Sequence, residues 1–201
     1  MINIDKLYNL MADNAFQEKR TGNLFFPAYI YTYKPEDEYA IREEIGYLTD
    51  KLSRPNNFIE SMVINLYDEV ISYLKSQSFA GETIFESIVA FEKEDSEGAF
   101  LFARDEIRNG FYSQIESKLA SYFSSLHDKK NYLIIHGVGS AFPYLRTHEF
   151  LTNTEAFMKD FKTIIFYPGK YEDSVYHLFG NLNDDNMYRA NHLNLLIEHE
   201  N

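Results

Sequence analysis

Residues 132–146 read YLIIHGVGSAFPYLR, and this stretch decides the fold class. Leu133, Ile134 and Ile135 form a short apolar run, with Gly137 and Gly139 directly behind it. Ser140 follows as a candidate N-cap, and the chain then enters a helix, expected to run to about Leu151 despite Pro143. An apolar run that stops in glycines and leads to a helix start is the pattern of a buried parallel strand feeding a loop at its carboxyl end. In open α/β sheets that edge is where ligands and partners are met.

The flanking sequence repeats the alternation. Ile4, Leu7, Leu10 and Met11 recur at helical spacing. LFFPAYIYTY (24–33) is aromatic and extended in character, with Pro27 requiring a strand edge or a bend. Pro35, with Glu36, Asp37 and Glu38 behind it, suits a first helical turn. The helix it opens carries Ile41, Ile45, Leu48 and Leu52 on one face and should stop near Arg54-Pro55. Phe58–Leu66 reads as a strand, and Tyr67–Leu74 as a helix with Val70, Ile71 and Leu74 inward. A helical insert over 81–126 comes next. Ile84, Phe85, Ile88 and Val89 mark its first helix, and Ile107, Phe111, Ile115 and Leu119 the longest one. Gly110 costs that helix about 1 kcal/mol against alanine and is the place for a break. Phe161–Tyr167 is a second buried-type strand, ending in a loop at Pro168-Gly169-Lys170. The segment 187–197 reads as strand, helix or both. The expectation is one α/β domain over 1–201, its largely parallel sheet flanked by helices, Rossmann-like or degenerate P-loop-like without a Walker motif.

Composition narrows the function classes. The 201 residues include 16 Tyr and 17 Phe but no Trp and no Cys, which removes disulfides, thiolate metal sites and cysteine nucleophiles. Net charge is −12, with 9 basic and 18 acidic side chains in residues 1–100 against 10 and 13 in 101–201. A chain this acidic, with scattered basic residues, repels duplex nucleic acid, so no direct nucleic-acid binding is expected. Acidic surfaces suit basic protein partners, although solubility is the commoner reason for such a charge. The N-terminus lacks a basic region followed by a long apolar run, and no apolar stretch approaches a membrane span. A soluble, cytoplasmic protein is the expectation.

Each candidate for chemistry has a plainer reading beside it. Gly137-Val138-Gly139-Ser140 could cradle a phosphate at a helix start. It lacks the four-residue spacing and Lys-Ser/Thr of a Walker loop, and Phe142 stands where a dinucleotide fingerprint needs a small residue. A tight strand-to-helix turn explains it better, and a nucleotide-binding or nucleotide-hydrolysing enzyme with a degenerate glycine loop is the alternative. Lys170 could reach an anion from the second strand end, although a solvent-exposed loop lysine is the ordinary outcome. The six histidines, at 127, 136, 148, 177, 192 and 199, show no metal-ligand spacing, and Ser140 is in no nucleophile elbow. The adjacent acids Asp184 and Asp185 would splay apart on a turn. The aromatic band Phe25, Phe26, Tyr29, Tyr31 and Tyr33 could stack bases, but strand packing is the simpler role. No cofactor or metal is expected. His136, Ser140, Arg146 and Lys170 could converge on a partner surface if the two strands lie parallel and adjacent.

The blocks HGVGSAFPYLRTHEFL (136–151), IIFYPGKYED (164–173) with LFGN (178–181), and MYRANHL (187–193) together resemble the BrxB family of BREX phage-defence systems. FFPAYIYTYKPEDE (25–38), IRE (41–43) and INLYDEVISYL (64–74) are similar too. The resemblance spans nearly the whole chain but is thin over the insert. It implies a bacterial, non-catalytic adaptor within a multi-gene cassette that also encodes a DNA adenine methyltransferase, an alkaline-phosphatase-like protein and an ATPase. It further implies binding to the other BREX proteins, the alkaline-phosphatase-like one first. The residues it nominates for partner binding are His136, Gly137, Gly139, Ser140, Arg146, Tyr167, Gly169, Lys170 and Arg189.

Overall fold

A computed structural model of the chain describes residues 4–17, 28–124, 131–157, 161–184 and 190–199. Five parallel strands carry the architecture: β1 (Ala28–Tyr33), β2 (Glu60–Asn65), β5 (Asn131–His136), the first part of β6 (Lys162–Glu172) and the short β9 (Asn191–His192). Their order across the sheet is β2-β5-β6-β1-β9. The fold class is α/β, as the alternating pattern predicts. The order differs from the 3-2-1-4-5-6 of dinucleotide-binding sheets, because here the first strand lies between the fourth and the fifth.

Side-chain alternation along the strands supplies two cores. Tyr29, Tyr31, Tyr132, Ile134, Ile164 and Phe166 point to one face, where α1 (Ile4–Ala12), α3 (Glu38–Ser53) and α10 (Leu193–His199) cover them. The predicted row Ile41, Ile45, Leu48 and Leu52 is fully buried there. On this face the tyrosines of the aromatic band pack rather than stack on a ligand, and Phe25 and Phe26 lie outside the described residues. The short α2 (Asn14–Gln17) adds Phe16 against Tyr29 and Tyr132.

Ile30, Ile64, Leu133, Ile135 and Ile165 point to the other face. It is covered by α4 (Leu66–Ser76), α5 (Ile84–Glu92), α6 (Ser96–Glu106), α7 (Tyr112–Phe123), α8 (Val138–Ala141) and α9 (Thr147–Thr154). Within α4, Tyr73 is buried beside Val70 and Leu74, whereas Ile71 is only half-buried. Gly81 turns a small hairpin, β3 (Ser78–Phe79) and β4 (Glu82–Thr83), ahead of α5, which Thr83 and Glu86 close with a capping box. Val89, expected inward, is exposed. The break expected at Gly110 is a π-helical turn, Ile107–Phe111, joining α6 to α7.

Three expectations need correction. The helix drawn from Ser140 to Leu151 is two short helices. The cis Phe142–Pro143 peptide separates them, since proline has no N–H to continue the ladder. The second strand does not end in a loop at Pro168-Gly169-Lys170: β6 runs on to Glu172 as an antiparallel ribbon with β7 (Val175–Leu178), and β8 (Leu182–Asp184) follows on β7. Pro168 is in register with Tyr33 of β1, but its carbonyl faces the other side, accepting from the Phe179 N–H at 2.8 Å; on that side pairing to β5 has ended at Ile165 and pairing to β7 begins only at Gly169, so no N–H is missed. Phe58 lies ahead of β2 and is exposed instead of starting the strand.

The open alternative for 187–197 resolves as both elements, β9 then α10, with 187–189 outside the described residues. Where β9 ends, the Asn194 side chain continues its ladder, accepting from the Thr32 N–H at 2.8 Å and donating to the Thr32 carbonyl at 2.9 Å. No helix among the described residues is long and apolar enough to cross a membrane.

Candidate functional site

The carboxyl ends of β5 and β1 flank β6 and send the chain to opposite faces of the sheet: β5 into α8, β1 into α3. That divergence is the arrangement at which α/β sheets receive ligands and partners. β5 and β6 are parallel neighbours, with Ile135 opposite Ile165, so the two motif-bearing strand ends do lie side by side.

At the end of β5 the glycines have packing reasons. Gly137 has φ of 73°, and a Cβ on it would stand 2.0 Å from Asn65 Oδ1. A Cβ on Gly139 would stand 2.8 Å from Pro168 Cγ and 2.9 Å from Phe179 Cε1, where the ribbon leans on α8. Gly169 lies so close to β7 that its Cβ would meet the His177 carbonyl at 2.1 Å. These positions let backbone and ribbon close up around the strand ends. Ser140, Pro143 and Arg146 are the exposed members of the motif, with Arg146 over the Phe142 ring.

The remaining nominated residues divide. Tyr167 is fully buried, edge-on to Tyr176, and supports the ribbon from the core without reaching the surface. Lys170 sits on the ribbon opposite His177 and pairs with Glu172 at 2.8 Å, which neutralises much of its charge locally. Arg189 lies outside the described residues. His136 is half-buried at the strand end, in register with Asn65.

Around His136 the fold assembles polar groups that no single stretch of sequence reveals. Arg42 pairs with Glu38 at 3.1 Å across one turn of α3, and the Tyr33 hydroxyl donates to the same carboxylate. The Asn65 amide donates to Asp68 at 2.5 Å. Burial, and then the charge of Arg42, lower the His136 pKa, with Glu38 and Asp68 opposing. Its Nδ1 is buried without a hydrogen-bond partner. His192, stacked on Tyr171 at 4.5 Å, is lowered for the same first reason, and Glu198 opposes.

Both shifts have one consequence for stability. As pH falls through the ordinary histidine value near 6.5, the unfolded chain takes up protons that the folded chain resists, so stability drops. Denaturant melts of the native chain are expected to lose stability from about pH 6.5 downward. The loss should be smaller in His136→Gln, and unchanged pH dependence in that variant would refute the assignment.

Among the described residues no group of three or more histidine, aspartate or glutamate side chains is placed to hold a metal ion. A second polar cluster was not legible beforehand. Arg104 and Arg108 each donate Nη2 to Glu149 Oε1 at 2.9 Å, across 45 and 41 residues of sequence.

The family model described as BREX protein BrxB matches residues 62–193. A BREX protein BrxB of Bacillus cereus (strain H3081.97) is 24% identical over 187 residues, 93% of this chain and 93% of that one. A BREX protein BrxB of Escherichia coli O9:H4 (strain HS) is 23% identical over 165 residues, 81% of this chain and 75% of its own length. No solved structure matches.

Proposed function

The chain belongs to the BrxB family, and from that premise we propose that this component of a BREX defence system is a non-catalytic adaptor. It binds a larger member of the cassette, the alkaline-phosphatase-like protein before the others. The observation that carries this reading is the division of labour at the carboxyl edge. The motif glycines serve close packing, while Ser140 and Arg146 are left at the surface. An edge shaped by backbone packing and displaying a few polar side chains suits recognition of a protein surface, where arginine and exposed tyrosine are enriched.

Co-expression with each cassette protein tests it. The expected result is a stoichiometric complex with the alkaline-phosphatase-like component that survives size exclusion. Ser140→Arg, which puts bulk on the exposed turn, is expected to weaken it by about tenfold or more, roughly the 1.4 kcal/mol of one good contact. A chain that elutes alone beside every cassette protein at micromolar concentration overturns the adaptor reading.

A further inference from the structure

We propose that the outward face of α3 is a docking surface for a basic α-helix of a partner protein, one that carries lysine or arginine two turns apart and seats an apolar side chain on Gly46. This face shares no residue with the surface on which the adaptor reading rests. Ile41, Ile45, Leu48 and Leu52 hold the other side of α3 in the core. At about 100° per residue, Tyr39, Glu43, Gly46, Tyr47 and Asp50 then fall together on the side turned away from it. All five are exposed, Tyr39 by 82% and Tyr47 by 65%. No contact within the chain requires a glycine at 46: a Cβ there would meet nothing within 4 Å. Glycine inside a helix weakens it relative to alanine, so the residue is a cost to the fold without an internal return. Its missing side chain leaves a notch between Glu43, three residues before, and Asp50, four after. A notch of this kind admits the close approach of another helix.

The two carboxylates select the occupant. Glu43 and Asp50 are two turns apart, about 10 Å along the axis, and neither enters an ion pair among the described residues. The cations of α3 do not answer them. Arg42 is tied to Glu38 at 3.1 Å and Lys51 to Asp5 at 2.9 Å. Arg54, at the C-cap, forms no ion pair among the described residues. A partner helix with cations two turns apart meets both acids at once, and the residue midway between those cations lies over Gly46. Tyr39 and Tyr47 offer rings to the stems and heads of the incoming lysines or arginines. Arg42 already shows that contact, its guanidinium 5.9 Å from the Tyr39 ring centroid. The net charge of −12 draws a basic helix toward this face and repels an acidic one.

Fluorescein-labelled helical peptides of equal length are titrated into the full chain at low salt, where attraction between exposed charges is least screened. One carries arginines two turns apart with leucine midway between them. A second has the same composition with one arginine moved to the opposite face. The first is expected to bind the native chain at least about tenfold more tightly than the second. It is expected to weaken by about tenfold or more against Glu43→Lys/Asp50→Lys, and likewise against Gly46→Leu, which fills the notch. Thermal melts confirm that these surface variants fold. Gly46→Ala is expected to raise the melting temperature by about 2–4 °C, since the fold itself has no use for the glycine. Absent binding overturns the proposal. Equal binding of the two peptides also overturns it, because that is only the pull of an acidic chain. Binding that either variant leaves unchanged, or a Gly46→Ala chain less stable than the native one, overturns it as well. The titration uses the chain alone, so its outcome is separate from that of the cassette co-expression.

Discussion

Gly137→Ala is expected to lower the stability of the chain by about 3 kcal/mol, and so its melting temperature by roughly 6–12 °C for a chain of this size. Two separate effects add. The backbone at Gly137 is left-handed, with φ of 73°, and a Cβ there costs roughly 1–2 kcal/mol. The new methyl would also stand 2.0 Å from Asn65 Oδ1 and 3.0 Å from its Cγ, so the Asn65 side chain would have to turn away and strain its bond to Asp68. Forcing extra volume into packed surroundings costs about 1–3 kcal/mol. The two effects can be separated with Asn65→Ala. In that background the clash is gone, and Gly137→Ala should cost only the backbone strain. A Gly137→Ala melt within a degree of the native one would mean that the turn is free to choose another conformation. The packing explanation of the motif would then fall.

The same turn shows what the sequence reveals and what it hides. Leu133–Ile135 with glycines behind them could be read as a buried parallel strand, because a strand covered on both faces is apolar at successive positions. The α3 row could be read for an equally local reason: Ile41, Ile45, Leu48 and Leu52 share one helix face, and Arg54-Pro55 ends it. What depends on a distant partner was hidden. Tyr167-Pro168-Gly169-Lys170-Tyr171 looks like a loop until β1 pairs its first two residues and β7 the rest. Val63 and Val89 are apolar residues within a strand and a helix, yet both are exposed.

The site follows the same rule. His136 was legible as the last residue of a buried strand. The Glu38–Arg42 pair is legible as a charge pair one helical turn apart. Arg104, Arg108 and Glu149 were not, because no periodicity relates residues 41 and 45 positions apart. Tyr167 was nominated for a motif it belongs to, yet it is the strand's inward-facing residue.

At Gly110 helix propensity and packing predict opposite signs. Propensity says that Gly110→Ala should stabilise a helix by about 1 kcal/mol. The structure says the reverse, because the added Cβ would stand 2.4 Å from the Tyr73 hydroxyl oxygen. That hydroxyl reaches between α4 and the π turn to donate to the Glu106 carbonyl at 3.2 Å. The π turn itself has a cause in the sequence. Ala99, Ala103, Ile107, Phe111, Ile115 and Leu119 are all buried, each four residues after the last. In an α-helix four residues overshoot a turn by about 40°, so a row of six would swing through about 200° and leave the core. A turn with more residues, placed at Ile107–Phe111, rotates the row back. Gly110 and Tyr73 occupy the space that this wide turn opens. Gly110→Ala is therefore expected to destabilise by about 2 kcal/mol, and Tyr73→Phe alone by about 1 kcal/mol through its lost hydrogen bond. In the double variant the nearest remaining ring atom is Cζ at 3.3 Å, a contact that a small shift relieves. The alanine should then be neutral or mildly stabilising there, which makes the coupling energy about 2 kcal/mol in a double-mutant cycle. Additive effects of the two substitutions, or a Gly110→Ala chain more stable than the native one, would show that the hydroxyl does not hold this turn.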